Sequence, residues 1–335
     1  MQHADVLVIG AGVAGLTAAM VAAGHGVRTL VVEQLAPGGQ VATIEAIRNF
    51  PGFPDGIAGF ELGPLLQQQA EAAGAEFHLD SVIAIVADGD GYRVVCATSE
   101  ITARSVIVAA GSSLRKLEVE GEAEFEGRGV SHCASCDGPL FRGQPVVVAG
   151  GGDSAFDEAL VLAAHASDVT LVHRGAGPTA RPSAVAQLTA LPNIKIIADA
   201  EIVAIRGDTR VTGVEIRSRA GVAQHACRAV FAYVGLAPRS EFLQGLVATD
   251  DAGRIVTDRE MRTSQARIFA AGDIRAGSVG LLASVAGDAA TAAIGAVRHL
   301  QAADPTTEND TTTNENLAGG RHLGTARRSL IASGR

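Results

Sequence analysis

At 335 residues and 47% hydrophobic, the chain is long enough for two domains with separate cores, and 40 Gly against 4% aromatics and no Trp favour strand–turn–helix units whose backbone approaches ligands closely. The formal charge of −9 excludes general nucleic-acid binding, which needs a basic surface to displace counterions from phosphates. Four cysteines, two of them a close pair, exclude a disulfide-stapled secreted scaffold and point to a reducing cytoplasm.

No charge falls between Val6 and Ala23, a stretch that invites reading as a signal sequence or membrane span. The lead-in Met1-Gln2-His3-Ala4-Asp5 lacks a basic region, and Gly10, Gly12 and Gly15 interrupt the run, so a buried strand followed by a buried helix is expected, with no membrane contact. The strand covers Asp5 to Ile9, and Gly10-Ala11-Gly12-Val13-Ala14-Gly15 then opens a helix to about Ala23. Gly10 permits the tight turn, Gly12 lets N–H groups at Val13 and Ala14 close on a pyrophosphate, and Gly15 lets helix and strand pack closely. A second strand, Val27 to Val32, ends in Glu33-Gln34, with Glu33 placed to bind an unphosphorylated ribose diol. Dinucleotide binding is the reading, and a glycine-rich turn in another α/β protein is its alternative.

Ser105 to Ala109 is a further aliphatic strand, ending in Ala110-Gly111-Ser112. The dithiol Cys133-Ala134-Ser135-Cys136 follows. Two cysteines at this spacing close a small ring that opens readily, and backbone N–H dipoles at a helix start stabilise a thiolate. Zinc would need two more ligands, and Cys96 and Cys227 are solitary, so no metal site is expected and those two read as small buried hydrophobes. Asp137 is a candidate proton carrier for the sulfurs, with capping of the turn at Gly138-Pro139 as its structural alternative. His132 reads as structural or solvated.

Pro145 to Ala149 is again a strand, followed by Gly150-Gly151-Gly152-Asp153-Ser154-Ala155 and a helix to about Ala164. At the offset from Gly150 that Glu33 holds from Gly10 stand His173 and Arg174. A carboxylate there would repel a 2′-phosphate, whereas a guanidinium binds it, so the first cradle suits FAD and the second NADPH, with NADH an open alternative. Arg181 is a candidate second cation, and ordinary surface charge is the competing reading of both arginines.

Ile268-Phe269-Ala270-Ala271-Gly272-Asp273 repeats the strand end, with Asp273 suited to a ribityl polyol or to an N-cap. Because these FAD-type signals flank the second cradle, the expected fold is α/β with two Rossmann-like domains, the NAD(P) domain inserted into the FAD domain. The expected boundaries are 1–113 and 241–300 for the FAD domain, 114–240 for the NAD(P) domain with the dithiol, and 301–335 for a disordered polar tail. The crossings fall near Ser113 to Leu117 and Leu236 to Glu241.

These motifs together resemble the low-molecular-weight thioredoxin reductases over roughly residues 4 to 300. The similarity is densest from Gly127 to Gly138, and it extends to Gly38-Gly39-Gln40, Asn49-Phe50-Pro51-Gly52 and Ala270-Ala271-Gly272-Asp273. The resemblance implies a homodimeric FAD enzyme in which Cys136 faces the flavin, Cys133 attacks the disulfide of a thioredoxin-like partner, Asp137 is the acid, and the inserted domain swings. It also brings Gly39, Gln40, Asn49, Leu282 and Ala283 into the expected flavin site. Three features depart from the family pattern, one of them the polar tail, which has no counterpart in it. Gly175 follows His173-Arg174 where the family has a second arginine, and Leu281-Leu282-Ala283 stands where it has Arg-Gln-Ala. Three other readings stay open at this level: a dithiol oxidase using oxygen, a ferredoxin or flavodoxin reductase with bystander cysteines, and a non-enzymatic nucleotide sensor.

Overall fold

A computed structural model of the protein describes residues 2–44, 46–243 and 245–303. Most of the expected tail, from residue 304 on, therefore lies outside the described residues.

The first unit is built around β1 (Gln2–Ile9), which pairs in parallel with β2 (Thr29–Glu33) on one side. Beyond β2 lies β3 (Glu76–Leu79), and the hairpin of β4 (Val82–Asp88) and β5 (Gly91–Cys96) leads to β6 (Glu100–Val108), which lies on the other side of β1. Val6, Leu7 and Val8 are fully buried, as a central parallel strand covered on both faces requires. α1 (Val13–Gly24) packs its Ala18, Ala19 and Ala22 into the same core, with Leu62 and Ala70 of α2 (Gly59–Ala72). The uncharged run is thus interior, and no helix among the described residues is long and apolar enough to cross a membrane. β1 begins at Gln2, ahead of the expected Asp5, because the long β6 supplies partners there: Gln2 faces Ile101 and His3 faces Thr102.

The chain leaves this unit through β7 (Ser112–Leu114) and forms β8 (Val130–Ser131), the short α3 (Ala134–Asp137), β9 (Pro145–Ala149), α4 (Asp153–Ala163), β10 (Asp168–Val172), α5 (Pro182–Thr189) and β11 (Ile194–Ile197). An antiparallel sheet of β12 (Glu201–Gly207), β13 (Val211–Ser218) and β14 (Gly221–Ala226) precedes β15 (Ala229–Ala232) and the exit strand β16 (Leu236–Pro238). The second parallel sheet runs β11-β10-β9-β15-β8. Entry and exit strands pair with each other, Leu114 facing Leu236 and Ser112 facing Pro238, so two short antiparallel strands connect the units.

β17 (Ile268–Ala270) returns the chain to the first sheet, in parallel beside β6. α6 (Leu282–Ala303) then lies on α1 and buries Ala289, Ala292, Ala293 and Ala296. It runs three residues into the segment expected as tail, because Val297 and Leu300 are buried and anchor its last turns.

Candidate active site: two nucleotide cradles and a dithiol

At the end of β1 the chain must turn sharply without a side chain. Gly10 has φ +99°, and a Cβ there would lie 2.6 Å from the Ala109 carbonyl oxygen. No side chain caps α1 and its first turn holds no acid, so its leading N–H groups are left for an anion. The Gly38 N–H donates to the Ala11 carbonyl at 2.8 Å, which brings Gly38-Gly39-Gln40 against the loop. Gln40 Nε2 donates to the carbonyl and hydroxyl oxygens of buried Ser112 at 2.8 and 2.9 Å, tying this turn to the start of β7. Gly272 sits against the start of α1, where a Cβ would be 3.0 Å from that of Ala14, and this carries Asp273 to the same end of the sheet. Asp273 accepts from Ser278 Oγ at 2.9 Å. Asn49 is exposed on a surface loop, and Leu282 and Ala283 open α6.

Glu33 does more than its sequence position suggests. Its Oε2 accepts from the Ala11 N–H at 2.7 Å, and its Oε1 accepts from Gln34 and Leu35 N–H at 2.9 and 3.0 Å, so it braces the glycine loop. Oε1 is filled by its two donors, but Oε2 keeps a lone pair for a donor in a cavity of about 520 Å³ lined by Gly10, Glu33, Gln34, Asp80, Ala110 and Arg239. Arg239 escapes a motif-based reading: its N–H donates to Gly111 at 3.1 Å, a contact that only folding makes. Arg275 escapes it too, clamping the turn after Asp273 through Asp288 at 2.6 and 2.9 Å. Glu33→Ala is expected to weaken flavin retention by ~1.5–3 kcal/mol, since the site loses a charge-assisted partner. Flavin content after gel filtration measures this, and an unchanged ratio of flavin to protein refutes it.

The second cradle repeats the plan between β9 and α4. Gly150 N–H donates to Val172 at 2.9 Å, and the Thr179 and Ala180 N–H groups fold the following loop onto the Gly151 carbonyl at 2.8 and 3.1 Å. Ser154 and buried Ala155 lie in the first turn of α4. His173 is buried beside Gly151, with both ring nitrogens lacking a hydrogen-bond partner among the described residues. The cavity here, about 440 Å³, is lined by the glycines, Asp153, His173, Arg174, Glu201 and Tyr233. Arg174 Nε lies 3.1 Å from Glu201 Oε2. Arg181 is turned to α4 instead, donating to both oxygens of Asp157 at 3.0 and 2.6 Å, and that pairing holds its guanidinium above the usual range. Glu201 and Tyr233 carry no motif and were not anticipated.

The dithiol leaves β8, the edge strand two places from β9 in the same sheet, roughly 10 Å across from the second cradle at ordinary strand spacing. Cys133 and Cys136 form a disulfide with Cα atoms 5.3 Å apart. Cys133 is the N-cap of α3, its sulfur accepting from the Cys136 N–H at 3.2 Å, so a thiolate there meets a helix-start dipole. Cys136 is exposed and Cys133 half-buried. Ser131 Oγ donates to Asp137 Oδ2 at 2.6 Å, fixing that carboxylate beneath the dithiol turn. Ala134, between the cysteines, donates its N–H to Tyr233 Oη at 3.0 Å and Glu158 Oε2 at 3.1 Å. Tyr233 thus joins the end of β15 to the dithiol, and burial pushes its hydroxyl well up, so it stays protonated. His132 is held by the Ala232 carbonyl at 3.2 Å and lies 3.6 Å from Glu126.

The other two thiols are set apart by burial. Desolvation, with the Asp80 charge, pushes Cys96 up to about 11, and desolvation pushes Cys227 up to about 12. Iodoacetamide at neutral pH on reduced, folded protein is therefore expected to modify Cys133 and Cys136 and spare the other two. Intact mass reads this directly, and four adducts on folded protein would contradict it.

Residues 4–296 match the sequence profile described as pyridine nucleotide-disulphide oxidoreductase. The thioredoxin reductase of Treponema pallidum is 41% identical over 298 residues, 88% of this chain and 97% of that protein. A crystal structure of Lactococcus lactis thioredoxin reductase in its FR conformation superposes with a TM-score of 0.86 at 38% identity, covering 89% of this chain and 99% of that one. The crystal structure of the Streptococcus pyogenes enzyme, also 38% identical and covering 90% and 99%, gives only 0.60.

Proposed function

Because this chain belongs to the thioredoxin reductases within the pyridine nucleotide-disulphide oxidoreductases, we propose that it moves electrons from NADPH, through FAD and the Cys133–Cys136 disulfide, to thioredoxin or a thioredoxin-like protein. It is a disulfide oxidoreductase that depends on a flavin and a pyridine nucleotide. The observation that carries the proposal is a disulfide at the carboxyl edge of the same inserted sheet that holds the second cradle.

The flavin fits the first cradle, where α1 offers uncapped N–H groups and a Cβ built on Gly12 meets nothing nearer than Gly39 Cα at 4.0 Å. Gly10, Gly12, Glu33, Gln40 and Asp273 would hold it, and when bound it supplies the two-electron couple between nucleotide and sulfur. The chain's own chemistry is thiol–disulfide exchange. Opening the Cys133–Cys136 bond takes up two electrons and two protons. Cys133, as thiolate, then attacks one sulfur of the acceptor disulfide, forming a mixed disulfide and expelling the acceptor's other sulfur. Cys136 attacks the Cys133 sulfur in turn, restoring the internal bond and releasing the reduced acceptor. Asp137, positioned by Ser131, is assigned the proton transfers.

Dithiol and second cradle share one unit and both need access to the flavin, so that unit must rotate about the β7–β16 connection. The unlike superpositions of the two relatives support such a motion. The proposal includes a cytoplasmic homodimer, which light scattering and cell fractionation test. Oxygen-linked dithiol oxidation and one-electron carrier reduction are less favoured, since neither accounts for the named relatives. The test is spectroscopic: purified protein should be yellow, bleach under argon on adding NADPH, and couple NADPH oxidation to thioredoxin reduction. Colourless protein that takes up no added flavin would overturn the proposal.

A further inference from the structure

The charged residues lining the second cavity are one cation, Arg174, and two anions, Asp153 and Glu201. Glu201, at the start of β12, is engaged through both oxygens: Oε2 lies 3.1 Å from Arg174 Nε, and Oε1 lies 2.9 Å from Arg217 Nη1 on the neighbouring β13. The Arg174 side chain is 74% exposed, so it reaches over the cradle from the surface, whereas Glu201 at 32% is the more fixed partner. Arg181 is committed away from the cradle, its guanidinium paired with Asp157 and Asp153 standing 3.6 Å away. Gly175, directly after Arg174, adds no charge.

An incoming ribose bearing a 2′-phosphate therefore meets a guanidinium already held by a carboxylate. The phosphate must draw Arg174 off Glu201 or share its guanidinium with that carboxylate. A plain ribose diol requires neither change, and it presents hydroxyl donors to a carboxylate with lone pairs remaining. We propose that Glu201 is the specificity-determining residue of the second cradle: by holding Arg174 it narrows the preference for NADPH over NADH, so that both nucleotides serve as donors. This rests on reading Arg174 as the contact to the 2′-phosphate. Glu201 acts through Arg174 as a positioning residue.

The test is the ratio of kcat/KM for NADPH to kcat/KM for NADH, measured by anaerobic flavin reduction in flavin-loaded enzyme at fixed ionic strength. Glu201→Gln keeps the shape and removes the charge, and is expected to raise the ratio roughly two- to fivefold, through KM, as for release of an exposed ion pair. Arg217→Gln leaves Glu201 more fully to Arg174 and should lower the ratio. In an Arg174→Ala background, Glu201→Gln should lose its effect on the ratio. If Arg174→Ala selectively impairs NADPH while neither Glu201→Gln nor Arg217→Gln moves the ratio, the role of Glu201 is overturned and the reading of Arg174 stands. Equal impairment of both donors by Arg174→Ala overturns that reading, and the role of Glu201 with it.

Discussion

Cys136→Ser is expected to abolish thioredoxin reduction, by on the order of 10³-fold or more, while leaving the protein yellow and able to pass electrons from a pyridine nucleotide to ferricyanide. A hydroxyl cannot form or break the bond that stores the electron pair, so exchange is lost although flavin binding is not. Cys133→Ser should give the same loss. Little structural cost attends the first change, since Cys136 is exposed and its N–H, which donates to the Cys133 sulfur at the helix start, survives substitution. The paired assays also separate the competing readings. Full turnover with every acceptor in Cys136→Ser would mark the cysteines as bystanders, whereas peroxide made from a small dithiol without NADPH would reverse the direction of flow.

Gly15→Ala and Gly12→Ala should fail in different ways although they lie in one loop. A Cβ on Gly15 would fall 1.7 Å from the Gly10 carbonyl oxygen and 2.8 Å from its carbonyl carbon. Both are backbone atoms of the turn that starts α1, so no rotamer relieves the clash, and a loss of ~3 kcal/mol or more is expected for the first unit. At Gly12 the nearest atom is 4.0 Å away, so the apoprotein should fold and melt normally while the added methyl fills the space reserved for a pyrophosphate. Thermal melting and the ratio of flavin to protein, measured on both variants, discriminate. If Gly12→Ala retains stoichiometric flavin, the first cradle does not hold the pyrophosphate at this position.

The core of α1 and α6 shows why such changes reach far. Both helices are rich in alanine where they meet, which lets them lie close over β1 and β17 and brings Gly272 against Ala14. The segment that ends in Asp273 is placed by that packing, and the Arg275–Asp288 ion pair, with both side chains largely buried, secures it. Removing one partner of such a pair costs far more than removing an exposed one, because the survivor is left charged in the interior.

What could be read from the sequence was whatever contiguous residues encode through the backbone. A strand, a glycine turn and a helix start sit within a dozen positions, so both cradles and the dithiol between them declared themselves, and the order of the motifs implied one unit inserted in another. The alternation of Val214 and Ile216 with Glu215 and Arg217 is a strand signal too, yet it bears no chemistry, and a motif-led reading passes over the β12–β14 sheet. Tertiary structure alone decided which side chains meet. Parallel strands are joined by long crossovers that leave no record of register in the chain, so nothing near Ala134 foretells Tyr233 and nothing near Gly111 foretells Arg239. Arginines 174 and 181 look alike as residue types, but the fold gives one to Glu201 and the other to Asp157, since pairing of charges depends on distance in space rather than separation along the chain.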